Sequence, residues 1–285
     1  MNYRHIYHAG NFADIFKHII LTRIIIYLQR KATAFRILDT HSGPALYNLT
    51  SELSQKTQEW KQGIGMFLPN LPALTDQEME LLTPWLDVIK SVNEEEKLQF
   101  YPGSPLISRK LMRPQDRLSA IELHPEDFKK LKKLFANDYQ TKTILLDGWL
   151  ALKGHLPPKE KRGLILIDPP FEQKNEFDVI IDGLKQALRK FRHGVYAIWY
   201  PIKNYKMVNE FTKMLKSLEL PETLKLEICN ITPSSTPKLD GCGMIVINPP
   251  YNLADDIKKL TPLLENLLSQ TVTKKISITY LKNTY

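Results

Sequence analysis

The sequence predicts a doubly wound α/β domain built on a seven-stranded sheet. Three observations point there. Apolar, β-branched runs of strand length recur along the 285 residues, several are apolar at consecutive positions, and helical patterns lie between most of them. Consecutive apolar residues mark strands covered on both faces, the condition of a mainly parallel sheet. Helices between them supply the crossovers that such a sheet needs.

The first strand is FRILDT (35–40). About 75 residues separate it from the second, where one crossover needs only about a dozen. The excess, residues 45–97, is helical in pattern and broken by LPNLPALTD and LTPW. It is expected to form a small inserted helical subdomain, leaving 1–44 and 98–285 as the main domain. The chain returns at YPGSPLISRKLM (101–112), with Ser104 expected as N-cap and Pro105 as first helical residue. Strand two is LSAIEL (118–123), followed by the helical PEDFKKLKKLFAND (125–138). Strand three is TILLD (143–147) and strand four LILID (164–168), followed by helical FDVIIDGLKQALRKF (177–191). Strand five is VYAIWY (195–200), with the helix YKMVNEFTKMLKSL (205–218) after it. Strands six and seven are LKLEICNI (224–231) and GMIVIN (243–248). Only ITPSSTPKLDG joins these two. With two prolines and no helical pattern it cannot hold a right-handed crossover, so they should pair as an antiparallel hairpin, with the last strand reversed.

Composition narrows the function classes. The net charge is +8, which favours a polyanionic partner. The two cysteines form no CxxC, and no histidine stands at zinc-finger spacing, so reduced thiols in a cytoplasmic protein are expected. MNYRHIYHAGN is too polar for a signal peptide. The most apolar stretch, HIILTRIIIYL, is short and carries Arg23, so no membrane span is expected. No obligate protein partner is evident, and a monomer is the expectation.

Two stretches carry the chemistry. LILIDPPF (164–171) and MIVINPPY (244–251) each end an apolar run with Asp or Asn, two prolines and a ring. The exocyclic amine of a base is a poor nucleophile, because its lone pair is delocalised into the ring. A carboxylate and a rigid backbone carbonyl can each accept one of its N–H bonds and free that lone pair. Proline fixes the carbonyl and offers no competing donor, and the aromatic ring can stack on an extracted base. Ligands of open α/β sheets sit beyond the carboxyl ends of parallel strands, where strand order reverses. Strand four is parallel and belongs beside strand one, so Asp168-Pro169-Pro170-Phe171 faces that edge. Strand seven is antiparallel, so Asn248-Pro249-Pro250-Tyr251 should emerge at the opposite edge as a strand terminator.

The ligand edge gathers further acids: Asp39 in FRILDTHSG, Glu122 in IELHP, and Asp147-Gly148 in LLDGW. Gly43 lets backbone approach a ligand closely. An acid after strand two commonly holds ribose hydroxyls, and Asp147-Gly148 is placed to touch an adenine edge. Together they fit a nucleoside-like cofactor, whereas the missing GxGxxG argues against a dinucleotide. Tyr3, Arg4, His5, His8, Lys17 and His18 crowd the first 18 residues. A metal is not expected, since His5 and His8 lack third and fourth ligands. A plain structural role for His18 would be pairing with Asp14 at i,i+4.

Eight stretches in order closely resemble the RlmJ family of bacterial 23S rRNA adenine-N6 methyltransferases: YRHIYHAGNFADIFKH, LDTHSG, YPGSPLI, ELHP, DGW, LILIDPPF, IWYP and GMIVINPP. They run along nearly the whole chain. The resemblance implies a class I, Rossmann-like fold dependent on S-adenosyl-L-methionine (SAM), with a helical insertion and 23S rRNA as partner. It implies Asp168 as the catalytic acid within Asp168-Pro169-Pro170-Phe171. SAM-binding positions fall on His18, His41, Ser104, Glu122, Asp147, Gly148 and Asp168. Tyr3 falls on a position that touches the substrate RNA. This chain has Phe171 where the family usually has Tyr, which keeps stacking and loses a hydroxyl. Pro44 removes a backbone donor just past Gly43.

Other readings stay open at the level of sequence. A DNA adenine-N6 or cytosine-N4 methyltransferase would use the same tetrapeptide. An RNA-binding module with a vestigial methyltransferase fold would keep the surface and lose the chemistry. A nicotinamide oxidoreductase lacks its glycine fingerprint.

Overall fold

The computed structural model describes residues 4–94, 97–173, 175–232, 239–269 and 272–281. Ten strands occur among them. In chain order they are β1 (Arg36–Asp39), β2 (Leu46–Asn48), β3 (Phe100–Pro102), β4 (Arg117–Glu122) and β5 (Thr141–Leu145). The second five are β6 (Gly163–Ile167), β7 (Val195–Ile202), β8 (Thr223–Asn230), β9 (Gly241–Ile247) and β10 (Lys274–Tyr280). Eight form one sheet in the order β10-β8-β9-β7-β6-β1-β4-β5. The chain runs outward from β1 in both directions, which is the doubly wound topology expected. β1 pairs in parallel with both β4 and β6, so the switch point lies at β1.

The strands alternate their side chains between two apolar layers, which is why they read as continuously apolar. Leu164 and Leu166 of β6 enter one layer, and Ile165 and Ile167 enter the other. All five residues of β6 are buried. Truncating one such Leu or Ile to Ala costs about 2–5 kcal/mol, so this strand anchors the residue that follows it. On one face lie the helices Phe12–Leu28, Asp76–Lys90, Ser104–Leu111 and Leu253–Leu268. On the other lie Gly148–Gly154, Glu176–Lys190 and Tyr205–Lys216.

β9 is antiparallel to both β7 and β8, as the short connection required. The sheet has eight strands rather than seven. The extra one, β10, is an edge strand antiparallel to β8. Its sequence KKISITY alternates: Ile276 and Ile278 pack on the core, while their neighbours face outward. A half-exposed edge strand does not show the continuous apolar signal of the central ones. A separate two-stranded ribbon joins β2 to β3 and brings the ends of the 45–97 segment together. Leu82, Trp85 and Ile89 of that segment pack into the same apolar layer as the Phe12–Leu28 helix.

Two local expectations need correction. Gly103, not Ser104, is the N-cap of Ser104–Leu111. Ser104 is the first helical residue, and its hydroxyl instead donates to Asp39 Oδ2 at 2.6 Å. His18 does not hydrogen-bond to Asp14; its Nδ1 meets the Tyr101 hydroxyl at 2.9 Å. Asp14 is already engaged by His5, Lys17 and the Gly10 N–H.

Candidate active site

The carboxyl ends of β1, β4 and β6 open on a cavity of about 270 Å³. Its wall includes His18, His41, Ser104, Glu122, Asp147, Gly148, Asp168, Pro169 and Pro170, all singled out from the sequence. Phe171 lines a second cavity of about 800 Å³ on the other side of Asp168. Lys17, His5, Asp168 and Pro170 border both. Tyr3 lies outside the described residues.

Each wall residue is positioned by an identifiable contact. Glu122 closes β4; its two oxygens accept the Gly43 N–H at 2.7 Å and the His124 N–H at 2.6 Å. That fixes the carboxylate and the Gly43 turn together. Gly43 sits at φ +58°, a left-handed conformation that glycine adopts without strain. Asp147 caps the Gly148–Gly154 helix, with Oδ1 accepting the Trp149 and Leu150 N–H groups. A Cβ on Gly148 would stand 2.4 Å from the Thr40 carbonyl and 2.9 Å from the His41 ring. Only glycine lets that helix start so close to the end of β1. His41 bonds the Thr40 hydroxyl at 2.8 Å and lies edge-on to Trp149.

Asp168 is held from behind. Lys17 Nζ lies 2.6 Å from its Oδ2 and 2.8 Å from Asp14 Oδ1. The Phe12–Leu28 helix carries both Asp14 and Lys17 almost wholly buried, with side chains 2 % and 4 % exposed. Burial alone pushes the Asp14 carboxyl up, but His5 and Lys17 hold it well below its ordinary value. Burial pulls the Lys17 ammonium down, and the Asp14 and Asp168 carboxylates more than reverse that. The result is a fixed carboxylate–ammonium–carboxylate chain ending at the border of the two cavities.

The other titratable groups set the sign of the smaller cavity. Burial pushes His18 down to about 3 and His41 down to about 4, so both are neutral at pH 7. Six carboxylate residues line the space, Glu122, Asp127, Asp147, Asp168, Glu172 and Glu176, against the ammonium of Lys17. Asp127 is paired with Arg4. The lining is therefore acidic and suits a cationic ligand. Asp39 lies behind it, fully buried, with its carboxyl pushed up to about 7 by burial, despite the Ser104 bond that lowers it.

Phe171 sits at φ +50°, a left-handed conformation that costs a non-glycine residue about 1–3 kcal/mol. Its ring is fixed edge-on between Phe177 and Trp199. The second Pro-Pro motif lies elsewhere. Asn248 follows β9 at the far edge of the sheet, where its amide donates to the Arg192 and Gly194 carbonyls just before β7.

Sequence reasoning noticed Lys17 without giving it a role, considered Asp14 only as a partner of His18, and missed Trp149 and Tyr47, which line the smaller cavity. The available signal was charge inside an apolar helix. FADIFKHIILTR places Asp14, Lys17, His18 and Arg23 where nearly every other residue is apolar, and charges buried in such a helix must find partners.

Known proteins are similar to this chain over nearly its whole length. An Escherichia coli K12 protein, ribosomal RNA large subunit methyltransferase J, is 36% identical over 283 residues, covering 99% of both chains. A Haemophilus influenzae protein of the same name is 38% identical over 269 residues, covering 94% of both. The crystal structure of a Legionella pneumophila protein superposes with a TM-score of 0.85 at 35% identity, covering 95% of this chain and 98% of that one. The family model described as ribosomal RNA large subunit methyltransferase D, RlmJ, matches residues 32–281. That span holds all ten strands, and the chain belongs to the RlmJ family.

Proposed function

We infer that this protein transfers a methyl group from SAM to N6 of an adenine in 23S rRNA. Family membership supports the reaction class. The observation that carries the site assignment is the position of Asp168, on the border between a small acidic cavity and a larger one. The small cavity fits SAM by the chemistry of its lining: carboxylates and neutral histidines suit a ligand with a sulfonium and an ammonium. Glu122, His41, Ser104, His18 and the Asp147-Gly148 turn would hold it, with Glu122 placed for ribose hydroxyls. When bound, SAM supplies an electrophilic methyl group.

The chain's own groups do the rest by positioning, which can account for most of such a rate enhancement. The adenine must leave its stack and enter the larger cavity. There Asp168 accepts one N6–H, and the rigid backbone at Pro169-Pro170 offers a carbonyl for the second. The lone pair is thereby turned toward the smaller cavity. As the N–C bond forms and the sulfur–methyl bond breaks, the bonding pair stays on sulfur as a neutral thioether, and N6, now acidic, loses one proton to Asp168 or to water. Lys17 keeps the carboxylate aimed. Tyr3 is proposed to touch the RNA, and the 45–97 insertion, which reaches the wall of the larger cavity at Glu59 and Gln62, to help enclose it. We propose that the protein acts as a cytoplasmic monomer; among the described residues, no helix is long and apolar enough to cross a membrane.

Mass spectrometry of 23S rRNA fragments after incubation with the protein and SAM tests the reaction, with genomic DNA as the competing substrate. Asp168→Ala should abolish transfer while SAM still binds more weakly. Full turnover by that variant removes Asp168 from the mechanism.

A further inference from the structure

The edge of the sheet opposite the two cavities carries five cations that form no ion pair among the described residues. Arg30, Lys31, Lys161 and Arg192 are exposed there, with half-buried Arg162 among them. They form one continuous surface. Arg162 donates to the Leu28 and Thr33 carbonyls, which fastens the 29–33 turn beside β6. His193 bonds the Lys161 carbonyl, and Asn248 bonds the Arg192 carbonyl. Arg192 itself donates to the Glu219 carbonyl. These partners are neutral. Among the described residues none of the five cations makes an ion pair, whereas nearby Arg36 and Arg113 are paired with Glu160 and Asp116. The exposed acids Glu222 and Asp255 gather instead around Tyr280 on the outer strand.

An aromatic ring stands in the same surface. Tyr251, the last residue of the second Pro-Pro motif, is 74% exposed. Its orientation is fixed: the hydroxyl accepts from Arg30 at 2.8 Å, Tyr27 lies edge-on at 5.6 Å, and the Arg30 guanidinium stands 5.7 Å from the ring centre. A large ring held rigidly in water beside unpaired cations matches the pattern of a single-stranded nucleic-acid platform, in which phosphates meet the cations and a base stacks on the ring.

We propose that this edge is a second RNA-binding face, taking the phosphodiester backbone of 23S rRNA away from the target adenine and one unpaired base on Tyr251. The proposal rests on the 23S rRNA reading above. The five residues of β6 alone separate the two edges by about 17 Å. An RNA confined to the target loop therefore reaches only the cavities, while a longer one reaches both edges.

The experiment compares a full 23S transcript with the shortest fragment of it that is still methylated. The variants are Lys31→Gln with Lys161→Gln, and Tyr251→Ala. For the full transcript the double variant should bind more weakly, and its plot of log affinity against log salt should be less steep by about 2, one for each cation removed. Tyr251→Ala should weaken binding without changing that slope, and Tyr251→Phe should restore it. Neither variant should alter KM or kcat on the short fragment. Unchanged affinity and slope on the full transcript would overturn the proposal. So would equal losses on both RNAs, or a change in sedimentation showing that the face joins two proteins. If the unaltered protein methylates neither RNA, the reaction assignment fails, and transcript binding still decides the second face.

Discussion

Lys17→Met isolates the group that holds Asp168. The substitution keeps an unbranched side chain of similar length and removes the charge. It breaks contacts of 2.6 Å and 2.8 Å to two carboxylates, one of which, Asp14, is 2 % exposed. Removing one partner from a buried ion pair costs about 3–5 kcal/mol, because the remaining charge stays desolvated. His5 and the Gly10 N–H still engage Asp14, which favours the lower end of that range. A 285-residue chain unfolds with an entropy near 0.6 kcal/mol/K, so the loss corresponds to a Tm about 5–8 °C lower. Its pH dependence has a definite sign. Asp14 titrates below its ordinary value in the folded protein, so its stabilisation is present above that value and lost as pH falls through the folded one. Without Lys17 that contribution shrinks, and acid unfolding should begin at a higher pH. With Asp168 no longer anchored, a displacement of about 1 Å would lower kcat roughly 100-fold. SAM affinity should change far less, because Lys17 sits at the border of the cavity and is none of the proposed ribose contacts. Thermal unfolding across pH, titration calorimetry with SAM and single-turnover methylation measure the three quantities. A variant with unchanged Tm and unchanged kcat would refute the account of this chain of charges.

Asp39→Asn should stabilise the protein at pH 8 relative to pH 4, by up to ~4 kcal/mol, while keeping an acceptor for Ser104. With a folded value of about 7, the acid's stabilisation is complete below its ordinary value and lost as pH rises to about 7; urea midpoints across that range report it. Gly148→Ala should weaken SAM binding and cost about 1–3 kcal/mol, since the added carbon meets the Thr40 carbonyl at 2.4 Å; calorimetry and melting curves check both. Asn248→Ala should cost about 1–3 kcal/mol through two lost hydrogen bonds and a φ of +53°, yet keep methyl transfer on a short RNA. Loss of transfer in a folded Asn248→Ala protein would contradict its placement at the far edge.

The topology was legible because the strong signals were local. Consecutive apolar residues in LILID and GMIVI report burial on both faces, and the structure divides those side chains between two layers. The ITPSSTPKLDG connection was too short and too rich in proline for a crossover, which settled the direction of β9. KKISITY was not recognised because an edge strand buries only alternate residues, and two lysines open it. Ser104 shows a subtler failure. Ser-Pro at a helix start has the pattern of a cap, but Asp39, 65 positions away, competes for the same hydroxyl. No local rule sees a partner so distant in sequence. The same holds for Lys17 and Asp168, separated by 151 residues.

The two Pro-Pro motifs show why chemistry cannot be assigned from a tetrapeptide. Each follows a buried strand, and the residue before its prolines ends at a sheet edge. Asp168 meets a buried ammonium and two cavities; Asn248 meets two backbone carbonyls. The side chains fit their surroundings in opposite ways. A carboxylate has no N–H to offer the Arg192 and Gly194 carbonyls, and its charge would face two like dipoles. Among the described residues, an amide at 168 would leave Lys17 with Asp14 as its one carboxylate partner. Exchanging the pair, Asp168→Asn with Asn248→Asp, should therefore harm both edges rather than move the activity. Methyl transfer should fall because the amide presents a weaker acceptor to N6–H, and stability should fall because two carbonyls face an anion. A doubly exchanged protein that kept both would show that strand direction does not decide which motif works.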